Sequence, residues 1–114
     1  MAKSQLPDAK RRRRMLREND PALAQAGRNL LEAGRWGEAL ECLEASADQE
    51  GLIELARAAQ EAGDIFFWRQ AQRLLGHRPG PAELEELAER AQAAGKLAFA
   101  QQARELAAGE GEAA

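Results

Sequence analysis

The sequence is poor in the residues that favour β-structure. Among its 114 residues there is no valine, threonine or tyrosine, and there are only two isoleucines. Alanine, leucine, glutamate, glutamine and arginine are abundant instead, and these are strong helix formers. The composition therefore predicts an all-α protein, and the length predicts one domain.

Cysteine and histidine are equally scarce, which excludes several kinds of site. The single cysteine, Cys42, excludes an internal disulfide and a cysteine-based metal cluster. The single histidine, His77, has no second strong metal ligand beside it in the sequence. We therefore expect no cofactor, no metal and no catalytic residue, and we interpret Cys42 as a small core side chain.

Long apolar runs are also missing from the sequence. No run approaches the roughly 20 residues that a helix needs to cross a bilayer. The basic residues near the amino terminus are followed directly by Met15-Leu16-Arg17-Glu18 and not by the apolar stretch of a secretory signal. Together with the single cysteine, these features predict a cytoplasmic protein without a membrane span.

The chain contains an internal repeat. The pattern from Leu55 to Leu74 returns from Leu87 to Leu106, with every matched residue 32 positions later. A weaker copy precedes both, and the three copies place a glycine between two helix-forming segments, at Gly34, Gly63 and Gly95. Repeats of this size usually form stacked helical hairpins. We expect three antiparallel helical hairpins, stacked as a short right-handed solenoid.

Start and stop signals give the bounds of six repeat helices. Aspartate and proline mark the starts, and glycine marks the ends. The predicted helices cover residues 21–33, 36–47, 50–62, 65–75, 81–94 and 96–108. The helical period places Phe67 and Trp68 on the buried side of the fourth helix, and Leu97 and Phe99 on that of the sixth.

Charge is unevenly distributed along the chain. Residues 1–18 carry seven basic and two acidic side chains, whereas the remainder carries nine basic and 17 acidic ones. Because successive arginines repel one another, we expect residues 1–19 to form a basic arm that is flexible or conditionally helical. The repeat domain then spans residues 20–108, and residues 109–114 form a flexible acidic tail.

The cations of this arm are candidates for binding an anion or nucleic acid, since basic side chains neutralise phosphates. They are Lys10, Arg11, Arg12, Arg13, Arg14 and Arg17. Two alternatives stay open: an acidic protein partner, and a solvated arm that aids solubility or contacts the acidic residues of the protein itself. No aromatic residue precedes Trp36, so nothing near the tract can stack on bases.

The repeat resembles the tetratricopeptide repeat. The first unit of the repeat matches through Leu23, Gly27, Leu30, Ala33-Gly34, Trp36, Ala39 and Leu43. The second offers Leu52, Leu55-Ala56, Ala59, Gly63 and Ile65, and the third offers Leu84, Leu87-Ala88, Ala91, Gly95, Leu97 and Ala100. The resemblance, to a degenerate helical-hairpin solenoid of this type, covers about residues 20 to 107.

The resemblance implies a scaffold that holds a partner protein or peptide against the first helix of each hairpin. Mapped onto this sequence, the binding face includes Arg28, Leu31, Arg57 and Gln60. Arg28 and Arg57 would then pair with carboxylates of the partner.

Phe66 is a separate candidate for partner binding. The helical period places it away from the apolar stripe, on the side of Arg69 and Arg73. Aromatic and arginine side chains are typical anchors of protein interfaces. The alternative is that Phe66 covers a neighbouring helix.

These observations lead to one principal expectation and two alternatives. The principal expectation is a non-catalytic adaptor or scaffold that binds another protein. The first alternative is a nucleic-acid-associated factor that docks through the arginine tract. The second is a homodimer that covers the apolar end faces of the repeat array.

Overall fold

The computed structural model describes the backbone of residues 6–113 and the side chains of residues 6–109. This part of the chain contains seven helices and no strand, which confirms the all-α prediction. The helices are α1 (Ala9–Glu18), α2 (Leu23–Glu32), α3 (Trp36–Ser46), α4 (Gln49–Ala62), α5 (Ile65–Leu75), α6 (Pro81–Ala93) and α7 (Leu97–Ala113). None of the helices in this part is long and apolar enough to cross a bilayer.

The helices group into two compact units, with the boundary between Leu55 and Ala56. In unit 1, up to Leu55, α2 packs against α3. In unit 2, from Ala56 onward, α6 packs against α7. In each case only three residues join the two helices, and the middle one of the three, Gly34 or Gly95, has a positive φ.

The core of unit 1 is built from leucines and small residues. Leu23, Leu30 and Leu43 are fully buried, together with Cys42, as the sequence predicted for that cysteine. Gly27 lets α2 approach α3 closely, because a Cβ there would lie 2.8 Å from Leu43 Cδ2. This crossing therefore requires a residue without a side chain.

Helix α1 belongs to unit 1 and contains the arginine tract. The carboxylate of Asp8 accepts a hydrogen bond of 2.7 Å from the backbone N–H of Arg11, and Asn19 ends the helix in the left-handed conformation. Met15 is buried and fixes one side of α1 in the core. The residues predicted to be flexible or conditionally helical are thus helical here from Ala9 to Glu18.

Unit 2 contains a close approach between two backbone segments, at Gly63. Gly63 has a φ of +67°, and a Cβ there would lie 2.4 Å from Ala91 Cα. The ammonium group of Lys96 donates a hydrogen bond of 2.8 Å to the carbonyl oxygen of Ala62. Glycine at position 63 thus allows the end of α4 to contact the backbone of α6.

Two helix ends differ from the predicted bounds. Helix α2 begins at Leu23 and not at Pro21, because the backbone N–H of Ala22 donates to the carboxylate of Asp20 and holds a turn there. Helix α7 continues to Ala113, beyond the predicted end at Ala108 and into the predicted tail. Gly109 does not have the positive φ that ends the other helices, so it does not stop α7.

The prediction that Leu97 is a core residue is wrong, because its side chain is 66% exposed. Its counterpart 32 positions earlier, Ile65, is 1% exposed. Helix α6 follows α5, and its Leu84 lines the same groove as Ile65, whereas no described helix follows α7.

Candidate functional site

Unit 2 has an open groove with a volume of about 600 Å³. Its walls come from α5, from the loop of residues 76–80, from α6 and from α7. The carboxylate of Asp64 accepts a hydrogen bond of 3.1 Å from the backbone N–H of Phe67, and so fixes where α5 begins. This start places residues 65, 68, 69, 72 and 73 of α5 along the groove.

The floor of the groove is apolar. Ile65, Trp68 and Leu84 line it and are buried, and Phe99 and Leu106 line it and are half-buried. Four aromatic or branched aliphatic side chains from three helices therefore surround one concave surface, together with the indole of Trp68. Concave apolar surfaces of this size are the usual form of a binding site.

The polar part of the groove is basic. Arg69 and Arg73 line it from successive turns of α5, and Arg78 lines it from the following loop. None of the lining residues is an aspartate or glutamate, although the chain as a whole has a net charge of −3. Arg73 donates to the side-chain amide oxygen of Gln70, which orients its guanidinium without neutralising it. The formally charged side chains that line the groove are therefore basic.

Phe66 lies at this groove with more than half of its side chain, 54%, exposed. Its ring meets that of Phe67 edge to face, with 5.1 Å between the ring centroids. Arg69 and Arg73 are exposed as well. The predicted exposure of Phe66 is confirmed. Phe66, Arg69 and Arg73 all line the groove.

Trp68 is a core residue, as predicted, but it has an unusual feature. Its indole N–H is buried and has no hydrogen-bond acceptor among the described residues. A buried polar group without a partner costs about 1–3 kcal/mol. Because Trp68 also lines the groove, its environment will report on anything that binds there.

Most residues of the groove were not predicted to be binding residues from the sequence. Trp68 and Phe99 were assigned to the buried sides of their helices, His77 was considered only as an isolated histidine, and Arg78 was not singled out. His77 lies 3.0 Å from a carboxylate oxygen of Glu83, which fastens the loop to the first turn of α6. The available signal was the third arginine, Arg78, placed shortly after Arg69 and Arg73 in the longest loop of the repeat region.

The partner-binding face that was predicted on the first helix of each hairpin has residues in both units. Arg28 makes a two-pronged ion pair with Asp48, with both N–O distances 2.7 Å, and lies 3.2 Å from Glu50. These hydrogen bonds hold the pKa of Asp48 below its ordinary value. Leu31 is only 9% exposed, so it offers little surface. Arg57 is exposed and Gln60 is half-buried in unit 2, and binding by these four residues stays a prediction.

The cations of the arginine tract lie in two different environments. Arg12 turns toward α3, where one guanidinium nitrogen lies 2.8 Å from Glu38 and another 3.2 Å from Glu41. Its side chain is 13% exposed. The other cations of α1 are exposed: Lys10, Arg11, Arg13, Arg14 and Arg17. Contact with the protein's own acidic residues, one of the open alternatives, is thus observed for Arg12.

Cys42 has the environment of a core residue. It is fully buried, and burial raises the pKa of its thiol, which disfavours the reactive thiolate. Among the described residues no three histidine, cysteine or acidic side chains are grouped as a metal site would require.

Comparison of the chain with protein-family models, with curated proteins and with solved structures finds no match.

Proposed function

We propose that this chain is a non-catalytic adaptor that binds a partner protein through the groove of unit 2. The observation that carries the proposal is the composition of that groove: an apolar floor beside Arg69, Arg73 and Arg78, with no acidic lining residue. The exposed ring of Phe66 at the same site supports it, since aromatic and arginine side chains dominate binding energy at interfaces.

We further propose that the helices form a degenerate solenoid of the tetratricopeptide-repeat type, with three antiparallel hairpins. The support is the repeat with its offset of 32 residues, together with the positive φ of Gly34, Gly63 and Gly95 at matching places. The packing of α2 on α3 and of α6 on α7 supports the outer two hairpins. Repeat proteins of this kind are scaffolds and not catalysts.

The chemistry of the groove selects one kind of occupant, an acidic amphipathic segment of the partner. Bulky apolar side chains would fill the concave floor and remove Phe66 and Phe99 from water. Carboxylates on the same segment would meet the guanidinium groups of Arg69 and Arg73, where hydrogen bonds between opposite charges are strong. A basic or wholly apolar segment would leave these charges unpaired.

Selection of peptides from a random display library by the intact chain tests this proposal. The enriched sequences are expected to combine aspartate or glutamate with leucine or an aromatic residue. Affinity is measured by the fluorescence of Trp68 in a Trp36→Phe background, because Trp68 is then the single indole and it lines the groove.

Two pairs of variants locate the binding surface. Charge reversal of Arg69 and Arg73 to glutamate is expected to weaken binding at least about tenfold, and Phe66→Ala about tenfold. Charge reversal of both Arg90 and Arg104 to glutamate, and Leu97→Ala, are the matched controls, because these residues are exposed in unit 2 outside the groove. Enrichment of basic peptides, or equal losses in the controls, would contradict the proposal.

A further inference from the structure

Helix α1 carries a stripe of positive charge on its outer side. Positions 10, 13, 14 and 17 recur at helical spacing, so Lys10, Arg13, Arg14 and Arg17 lie within about 100° of one another around the axis. All four are exposed, and Arg11 flanks them. Arg12 and Met15 lie on the opposite side and face α3 and the core. These four residues are called the α1 stripe below.

The α1 stripe is not neutralised by the protein. None of its four side chains makes an ion pair with any carboxylate among residues 6–109, whereas Arg12 pairs with two. Like charges one helical turn apart repel one another, so the stripe opposes the helix that carries it. The cap at Asp8, the burial of Met15 and the ion pairs of Arg12 hold the helix in spite of this repulsion.

We propose that the α1 stripe binds the phosphate backbone of a nucleic-acid duplex, independently of base sequence. Three of its four cations are arginines, whose planar guanidinium groups match phosphate oxygens in two-pronged contacts. The helix presents them as a row about 10 Å long, because seven rises of about 1.5 Å separate position 10 from position 17. No aromatic side chain is present in α1, so bases are not read by stacking.

An anionic membrane surface fits this helix less well. Helices that lie on membranes insert an apolar face between the lipids. In α1 that face is already used, because Met15 is buried and Leu16 is half-buried against the protein. The exposed side of α1 therefore offers charge alone, which matches a regular row of phosphates.

The number of cations sets the expected salt dependence. Each phosphate neutralised contributes about −0.9 to the slope of log K against log salt concentration, so four contacts give a slope of about −3.6. Affinity is then expected to fall about 150-fold between 50 and 200 mM salt. Binding is measured by fluorescence anisotropy of short labelled DNA and RNA duplexes of the same sequence, with the full chain.

A matched pair of triple variants tests the assignment to α1. Replacing Arg13, Arg14 and Arg17 with glutamine is expected to reduce the slope to about −0.9 and to remove most of the binding at 50 mM salt. The control replaces Arg35, Arg90 and Arg104 with glutamine, which removes the same charge from exposed positions outside α1. The control is expected to keep the slope of the unaltered chain. Thermal unfolding of both variants verifies that each is folded.

Several outcomes would overturn the proposal. One is the absence of any anisotropy change with either duplex at 50 mM salt. Another is an equal loss of duplex affinity in the two triple variants. Strong binding to only one of the two duplexes would also refute it, because the stripe has no group that distinguishes the sugars. Tighter binding to phosphatidylcholine–phosphatidylserine vesicles would identify a membrane surface instead. Displacement of the duplex by poly-glutamate at equal charge would identify an acidic protein.

Discussion

The two units hold their helices together by different means. In unit 1, arginines reach carboxylates across neighbouring helices: Arg12 pairs with Glu38 and Glu41, and Arg28 with Asp48. In unit 2, α4 and α6 are joined by a backbone contact, at Gly63 against Ala91. Arg69 and Arg73 of unit 2 make no ion pair with a described carboxylate, and they line the groove instead. Charged contacts thus join neighbouring segments of unit 1, whereas the exposed Arg69 and Arg73 of unit 2 lie at the groove.

The largest effect is expected from Gly63→Ala in unit 2. The new Cβ would overlap the backbone of α6, and alanine also disfavours the left-handed conformation, so we expect a loss of more than about 3 kcal/mol in the free energy of unfolding. Gly34→Ala in unit 1 is the control. It shares the positive φ but has nothing within 4 Å, and it should cost about 1–2 kcal/mol.

Urea titration followed by circular dichroism measures both variants. Equal losses would mean that the contact between Gly63 and Ala91 does not hold unit 2 together, and the contrast between the units would fail.

An intermediate effect is expected from Asp48→Asn in unit 1. The substitution removes the charge that pairs with Arg28 through two hydrogen bonds, so we expect a loss of about 1 kcal/mol, the upper end for a partly exposed ion pair. Glu50→Gln is the control, because Glu50 is 78% exposed and lies farther from Arg28; it should cost less than about 0.5 kcal/mol.

The same ion pair predicts a pH dependence. The pKa of Asp48 is lowered in the folded protein, so its contribution to stability is present above the unfolded value of about 3.9 and is lost as the pH falls through the folded value. The difference in unfolding free energy between the unaltered chain and Asp48→Asn should therefore shrink as the pH is lowered below about 4. A difference that stays constant down to acidic pH would contradict the role of this charge.

The smallest effect on stability is expected from removing the arginines of the groove. Because Arg69 and Arg73 make no ion pair with a described carboxylate, replacing both with glutamine should change the unfolding free energy by less than about 0.5 kcal/mol. The measurement is the same urea titration. A loss similar to that of Asp48→Asn would show that unit 2 also depends on charge, and would erase the contrast.

The local features of the fold were predictable because they depend on single residues. A glycine between two helix-forming segments has one common conformation, and Gly34, Gly63 and Gly95 all adopt it. Asp64 was recognised as a helix cap for a similar reason, since its side chain reaches the N–H of a residue three positions later. The burial of Cys42 and Trp68 followed from the helical period alone.

Features that join distant residues were not predictable in this way. The helical period places Leu97 on the stripe that Ile65 occupies in the earlier copy of the repeat. The period does not reveal whether another helix covers that stripe, and Leu97 is exposed whereas Ile65 is buried. The direction of Arg12 depends on Glu38 and Glu41, which lie on another helix. The groove likewise requires α5, α6 and α7 to be positioned together, so only Phe66, Arg69 and Arg73 were identified beforehand.

The helical conformation of α1 also affects how readily proteases cleave the chain after these arginines. Trypsin-like proteases cleave after arginine, and they bind their substrates in extended form. Each scissile bond of the tract is enclosed in a helix that is capped by Asp8 and fixed by Met15. Cleavage therefore requires local unfolding of α1, and its rate follows the small population of the opened helix. Any ligand that neutralises the outer arginines would lower that population and lengthen the survival of the intact chain.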